Sequence, residues 1–337
     1  MVNVGIIGAG RIGKVHVESI CTKVADGKVA ALADPFMNEE TEAWAKEMGI
    51  AKVTKDYKEV LADENIDAVL ICSSTDTHSV ISVEAIKAGK HVFCEKPVDH
   101  DIEKIQQVID ALKDSNVKYQ VGFNRRFDHN FMAVQEAVAS GKIGTPQIIK
   151  STSRDPEPPA LEYVKVSGGM FLDMTIHDFD MVRFLAGCNA EEIYVEAAVL
   201  VDPAIGEAGD VDTAVITIKM ENGAIAVIDN SRKAVYGYDQ RAEVFGSDGM
   251  VSVSNDAASS AVISSAAGVT GEKPLHFFLE RYMDAYAREV GCFIDAIEND
   301  KETPLGIMDG LEPVRMGIAA GISLKEHRPV KLSEVTV

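Results

Sequence analysis

The sequence predicts an α/β domain followed by an α+β domain: an N-terminal doubly wound parallel sheet over residues 1–122, then a largely antiparallel sheet with helices over residues 123–337. Three observations carry this. Up to residue 122, short apolar runs alternate with stretches of helical periodicity, and strands buried on both faces between helices mean a covered parallel sheet. Beyond residue 145 the strand candidates follow one another in near succession, separated by turn dipeptides. A length of 337 residues also exceeds what one ordinary hydrophobic core serves.

Val4 to Gly8 reads as a buried strand, followed by a helix to about Val24, and Val29–Ala33 with Asn38–Met48 repeats the pair. Ala68–Cys72, His91–Cys94 and Tyr119–Gly122 are further strands, with helices at Asp76–Ala88 and Asp101–Lys113 between them. In the second domain the strand candidates are Gln147–Ser153, Glu192–Val201, Thr213–Met220, Ala224–Asn230, Arg241–Phe245 and Met250–Val253. Asn222-Gly223 and Asp248-Gly249 supply hairpin turns. Ala257–Gly271 is small and polar and reads as a flexible loop. Leu279, Met283, Tyr286, Val290, Phe293 and Ile297 recur at helical spacing and predict one long amphipathic helix over Phe278–Glu298.

A hydrophobic content of 46% supports a sizeable core and excludes a disordered or collagen-like chain. The net charge of −20 argues against a surface that neutralises nucleic-acid phosphates or anionic lipid, so neither is expected as a partner. Five cysteines (Cys21, Cys72, Cys94, Cys188 and Cys292) are scattered without a Cys-x-x-Cys pair, the pattern of reduced thiols in a reducing cytosol. The chain opens directly into Val2-Asn3-Val4-Gly5-Ile6-Ile7, without a basic leader or a cleavable apolar stretch, and no run approaches bilayer length. A cytoplasmic location is the expectation.

Gly8-Ala9-Gly10-Arg11-Ile12-Gly13 follows the first strand and opens the first helix. Gly8 makes the tight turn, Gly10 lets the backbone approach a pyrophosphate, and Gly13 allows close helix–sheet packing. The helix N-terminus then offers unpaired N–H groups and its positive dipole end to the phosphates. The second strand ends at Asp34, 21 residues after Gly13, the interval at which an acidic side chain meets the adenosine ribose. A carboxylate there accepts from ribose hydroxyls and repels a 2′-phosphate, and Pro35-Phe36-Met37 brings no arginine to receive one. NAD is therefore favoured over NADP, with Arg11 in the loop as the counter-argument, since it could contact a phosphate.

Two further segments stand out. Cys94-Glu95-Lys96-Pro97 ends a strand at the sheet edge where open α/β sheets bind ligands. Asp173 and His177 stand four apart, on one face of any helix formed there. Each has an ordinary reading: Lys96 as a surface lysine, Asp173 and His177 as a simple helix pair. Their coincidence with a dinucleotide loop favours a site. Asp173, His177, Asp178 and Asp180 also offer metal-binding atoms, but Asp178 points to a different helix face from His177 and no third convergent ligand is apparent, so no metal is expected.

Together these residues resemble the glucose-fructose oxidoreductase and inositol dehydrogenase family. The likeness spans nearly the whole chain: Ala33-Asp34-Pro35, Glu95-Lys96-Pro97, Gly122-Phe123-Asn124-Arg125-Arg126-Phe127, and Gly168 to Asp180. Tyr236-Gly237-Tyr238-Asp239 with Glu243 and Gly246-Ser247-Asp248-Gly249, and the helix from Arg281 to Tyr286 running into Phe293 to Ile297, resemble its inositol-oxidising members. The resemblance implies a Rossmann domain and an open-faced sheet domain, often assembled as a homotetramer through that sheet. It also implies oxidation of a ring hydroxyl of myo-inositol, or another inositol isomer, to an inosose with reduction of NAD to NADH. Two positions depart from the family pattern. Asp155, in Arg154-Asp155-Pro156-Glu157-Pro158-Pro159, stands where a neutral Asn is expected, and Met174 beside Asp173 where a small polar residue is usual.

On this resemblance the cofactor is met by Gly8, Gly10, Arg11, Ile12 and Gly13, by Asp34, Ser74 and His78, and by Glu95 and Lys96. Substrate is met by Asn124, Arg125, Asp155, Asp173, His177, Tyr236 and Tyr238. Of Arg125 and Arg126, one lines the site and one sits in a structural ion pair. Tyr236 and Tyr238, on one face of a strand, suit substrate, a neighbouring subunit or plain core packing equally.

Lys96, Asp173 and His177 form the catalytic set. Hydride leaves a carbinol carbon only as the hydroxyl proton departs, so a base must lie within hydrogen-bond reach. An imidazole, with an ordinary pKa of about 6.5, suits that task at neutral pH, which points to His177. Asp173 would hold its tautomer or bind the neighbouring hydroxyl, and Lys96 would donate to the reacting oxygen. Rival readings are the same chemistry on a pyranose sugar, and a catalytically silent NAD-responsive regulatory protein. The acid excess lies mainly beyond residue 122, where it suits a neutral polyol better than a phosphorylated sugar.

Overall fold

In the computed structural model, which describes residues 1–336, the alternating apolar runs of the first third close into a six-stranded, all-parallel sheet. Its strands are β1 (Val2–Ile7), β2 (Gly27–Ala33), β3 (Lys52–Thr54), β4 (Ala68–Ile71), β5 (His91–Glu95) and β6 (Tyr119–Gly122). They lie in the order β3-β2-β1-β4-β5-β6, so the winding reverses between β1 and β4, and a crevice opens there at the carboxyl ends. The edge strand β3 has no counterpart in the sequence reading, because three half-buried residues carry no usable pattern. The connecting helices are α1 (Arg11–Lys23), α2 (Glu39–Glu47), α3 (Lys58–Leu61), α4 (Thr75–Lys87) and α5 (Ile102–Lys113). Asn38 accepts from the Thr41 N–H at 2.9 Å and Asp101 from the Glu103 N–H at 2.9 Å, side-chain caps that fix where α2 and α5 begin.

The second sheet contains β7 (Pro146–Arg154), β8 (Ala190–Ala198), β9 (Thr213–Met220), β10 (Ile225–Ser231), β11 (Asp239–Gly246), β12 (Met250–Val253) and, at its edge, β15 (Val330–Lys331). The order is β12-β11-β7-β10-β9-β8-β15, antiparallel at every step except β7 against β10. Alternation is clean along β9: Ala214, Ile216, Ile218 and Met220 are buried while Val215 is exposed. The helices here are α6 (His129–Ala139), α7 (Leu161–Val164), α8 (Gly169–Asp173), α9 (Ile176–Ala186), α10 (Pro203–Glu207) and α11 (Phe278–Arg281). α9 packs on the inner face of β7. On the outer face Ile225, Ile148, Phe245 and Met250 are mutually in register across β10, β7, β11 and β12, and all are exposed.

Three expectations need correcting. The segment read as a loop over Ala257–Gly271 contains an exposed hairpin, β13 (Val262–Ser265) with β14 (Gly268–Gly271), whose β-branched residues were too few to register among the serines and alanines. The helix expected over Phe278–Glu298 is broken at Tyr282 into α11 and α12 (Met283–Glu298). Tyr236 and Tyr238 precede β11 rather than sharing a strand face, with Gly237 at a φ of +132° between them.

A single cut after residue 122 is also not how the chain divides. The first unit takes Met1–Phe127 with Met283–Val314, the second Asp128–Tyr282 with Arg315–Thr336. The physical reason is the apolar stripe of α12: Val290, Phe293 and Ile294 are buried in the same core as Val4 and Ile6 of β1 and Phe93 of β5. The last helix, α13 (Ile307–Glu326), belongs to the first unit up to Val314 and to the second from Arg315. Among the described residues, no helix is long and apolar enough to cross a membrane.

Candidate active site

The glycine loop lies at the crevice where the winding reverses. Gly8 sits at a φ of +103°, and a Cβ there would stand 2.6 Å from the Cys72 carbonyl and the Ser73 nitrogen, so only glycine lets β1 and β4 approach. A Cβ on Gly13 would overlap the Gly8 carbonyl oxygen, whereas one on Gly10 would meet no protein atom within 4 Å. Gly10 thus faces open space at the N-terminus of α1. The Asp34 carboxylate, at the end of β2, accepts from the Ala9 N–H at 2.6 Å and the Phe36 N–H at 2.7 Å, joining the loop to the strand end. Arg11 is exposed and Ile12 half-buried on the first turn of α1. This cradle fits a dinucleotide: the loop is closed on its sheet side by atoms and open on the side a pyrophosphate would take.

The other residues expected around the cofactor divide by environment. Ser74 is exposed at the start of α4. His78 is buried, with Nδ1 2.8 Å from the Pro97 carbonyl and Nε2 3.0 Å from the Ser73 carbonyl. Two carbonyl acceptors require two N–H donors. Burial opposes that charge, but Cys94 and the two carbonyls outweigh it and lift the ring's pKa to about 9. His78 therefore ties the segments flanking the crevice together through its ring. Glu95 is likewise turned inward, its Oε1 2.7 Å from Nε2 of fully buried His16. Lys96, half-buried, leaves the carboxyl end of β5. Beyond β6, Asn124 and Arg125 are buried in a single 3₁₀ turn, and Arg126 forms an ion pair with Asp309 at 2.9 Å.

In the second unit, Asp173 and His177 do not share a helix. Asp173 closes α8 and His177 is the second residue of α9, because the Thr175 N–H bonds back to the Met170 carbonyl and its hydroxyl donates to Asn230. Asp173 is held by two groups: the Tyr163 hydroxyl donates to its Oδ1 at 2.8 Å and Arg232 Nη2 to its Oδ2 at 3.2 Å. Nη1 of the same arginine lies 3.5 Å from Asp155. Burial works against the Arg232 charge, but Asp173, Asp155 and Asp210 together raise its pKa. Met174, between α8 and α9, is buried. Asp178 turns away from the other acids, accepting from the Ser151 and Ser153 hydroxyls at 2.6 Å each and from the Asn230 amide at 3.0 Å. Tyr236 is partly exposed, its hydroxyl donating to Asp239 at 2.6 Å, while Tyr238 is buried edge-on against Phe277 and Tyr282.

The sequence reading missed Arg232, Tyr163, His16 and Glu289. Arg232 is 59 residues from Asp173, so no spacing pattern could join them. His16, three residues past Gly13 and among the valines and isoleucine of α1's buried face, was the one legible signal.

Residues 2–123 match the model of an oxidoreductase family with an NAD-binding Rossmann fold, and residues 131–252 that of the GFO/IDH/MocA C-terminal domain. The chain is 48% identical to the uncharacterized oxidoreductase YrbE of Bacillus subtilis, over 97% of this chain and 96% of the relative. It is 46% identical to the myo-inositol 2-dehydrogenase of Thermotoga maritima, over 98% and 99%. The crystal structure of scyllo-inositol dehydrogenase from Lactobacillus casei, with bound NAD(H) and scyllo-inositol, matches with a TM-score of 0.92 at 30% identity, over 99% of each chain. A glycine cradle with Asp34 at its strand end, and likeness of this extent across both units, place the chain in the GFO/IDH/MocA oxidoreductase family, with NAD as its cofactor.

Proposed function

We propose that this protein is an NAD-dependent inositol 2-dehydrogenase, oxidising a ring hydroxyl of myo-inositol or another inositol isomer to an inosose. The observation that carries the reading is the pair of carboxylates, Asp155 and Asp173, joined through buried Arg232. Paired carboxylates accept hydrogen bonds from neighbouring hydroxyls of a neutral ring and disfavour an anionic one. The names of the Thermotoga maritima and Lactobacillus casei relatives point to the same substrate class.

Gly8, Gly10 and Gly13 with the start of α1 would hold the pyrophosphate, and Asp34 the adenosine ribose. When bound, NAD supplies the hydride acceptor. His177 takes the hydroxyl proton at its imidazole, and Lys96 donates a hydrogen bond to the oxygen as negative charge develops on it. Asp173 orients the hydroxyls, kept in place by Tyr163 and Arg232. A role in inositol catabolism in the cytoplasm fits this chemistry. A homotetramer would cover the exposed row of Ile225, Ile148, Phe245 and Met250 on the outer sheet face.

The test is NADH formation with a panel of inositols and hexoses, run with both NAD and NADP. Oxidation of an inositol with NAD is the expected result. Faster turnover of glucose would replace the substrate, and no turnover with any polyol would leave an NAD-responsive binding protein.

A further inference from the structure

We propose that Arg232 is a positioning residue that fixes Asp155 and Asp173 as one receptor for two neighbouring hydroxyls of the substrate ring. This rests on the polyol reading above. The side chain of Arg232 is 4% exposed, so its charge is committed to partners rather than to water. Its two terminal nitrogens go to different carboxylates, Nη1 toward Asp155 and Nη2 to Asp173. A planar guanidinium dictates the direction of both contacts at once, which a lysine ammonium, a single point charge, does not.

The fork is itself anchored. The Arg232 N–H bonds the Asp212 carbonyl at 2.8 Å. The Asp212 carboxylate accepts the N–H groups of Leu200, Val201 and Asp202 at 2.7–2.9 Å. Asp155 is stitched to the same segment, its N–H to the Ser231 carbonyl at 2.9 Å and its carbonyl to the Ala234 N–H at 2.6 Å. Asp210 is a third carboxylate facing the guanidinium, and carboxylate oxygens are the acceptors that hydroxyl donors need. The same arrangement accounts for an aspartate at position 155: its charge is compensated from within the fold.

The experiment compares wild type with Arg232→Gln and Arg232→Lys, measuring kcat and KM for the polyol, NAD affinity, thermal stability and the crystal structure of each variant. Arg232→Gln is expected to lower kcat/KM about 100-fold, the scale of a small misplacement of reacting groups, with NAD affinity unchanged. Arg232→Lys keeps the charge but loses the fork, so kcat/KM falls there too. In both variants the Asp155 and Asp173 carboxylates leave the positions the guanidinium dictates. A lysine variant with wild-type kcat/KM, or variants whose two carboxylates stay in place, overturns the proposal. The carboxylate positions are read without turnover. Wild type that oxidises no polyol therefore sinks the functional reading, while those positions still decide the role of Arg232.

Discussion

Glu289 on α12 is fully buried in the first unit, and neither of its carboxylate oxygens has a hydrogen-bond partner there. It lies beside the Glu95 and His16 pair, among Phe93 and Tyr286, whose rings stand edge-on to His16 at 5.2 and 5.7 Å. Burial first, then the like charge of Glu95 and the nearby Cys292, push its pKa well above the ordinary 4.5. Cys72, facing the same pair of acids, is pushed up too. The folded chain therefore keeps a proton that the unfolded chain surrenders above pH 4.5. Stability contributed by this group is complete below that value and is lost as pH rises toward the folded pKa, by about 1.4 kcal/mol per pH unit. Glu289→Gln removes the titration and leaves an amide that can donate to Glu95. Between pH 6 and pH 8 the variant should gain up to about 2.7 kcal/mol on wild type, or roughly 5–10 °C in Tm for a unit of this size. Calorimetric melts of both proteins at pH 5, 6, 7 and 8 measure this. Two Tm curves that run parallel across that range would show that Glu289 is not a buried neutral acid.

Four further outcomes follow from the geometry. Asp34→Ala should shift the NAD to NADP ratio of kcat/KM toward NADP by about 10-fold or more, the scale of one charge-assisted contact; an unchanged ratio would remove Asp34 from cofactor choice. Gly10→Ala meets no protein atom, so it should cost no more than about 1 kcal/mol in stability while weakening NAD binding, whereas Gly13→Ala should damage both. Equal NAD affinity in wild type and Gly10→Ala, by calorimetry, would place the pyrophosphate elsewhere. His177→Ala should lower kcat by about 100-fold or more with NAD affinity intact, and near wild-type turnover would refute its role as base. Phe245→Glu puts a charge in the exposed row on the outer sheet face and should lower the oligomeric mass seen by light scattering; an unchanged mass means that face is not an interface.

The parallel sheet was legible because its evidence is local. Gly8, Gly10 and Gly13 are punctuation within one turn, and strands such as Ala68–Ile71 are buried on every side. The second sheet was legible strand by strand, since Thr213–Met220 alternates and Asn222-Gly223 turns the chain. Its outlying hairpin was not, because residues 262–271 have no buried face to impose a period. Within the candidate site, Asp173 and His177 were visible by their spacing, but the helix assumed to join them is interrupted at Thr175 by its bond to Asn230, 55 residues away.

By itself the sequence determined what short-range chemistry determines: two domains of different construction, a glycine loop of dinucleotide-binding spacing with an acid at the end of the second strand, and a short roster of titratable residues. Only the tertiary structure decided what those residues meet. It joined Asp155 and Asp173 through Arg232, turned Glu95 onto His16 beside Glu289, closed His78 on two carbonyls, and gave α12 to the first unit. The physical reason is that a buried charge must find a partner wherever the fold brings one, and a partner 59 or 79 residues away leaves no periodicity in the chain.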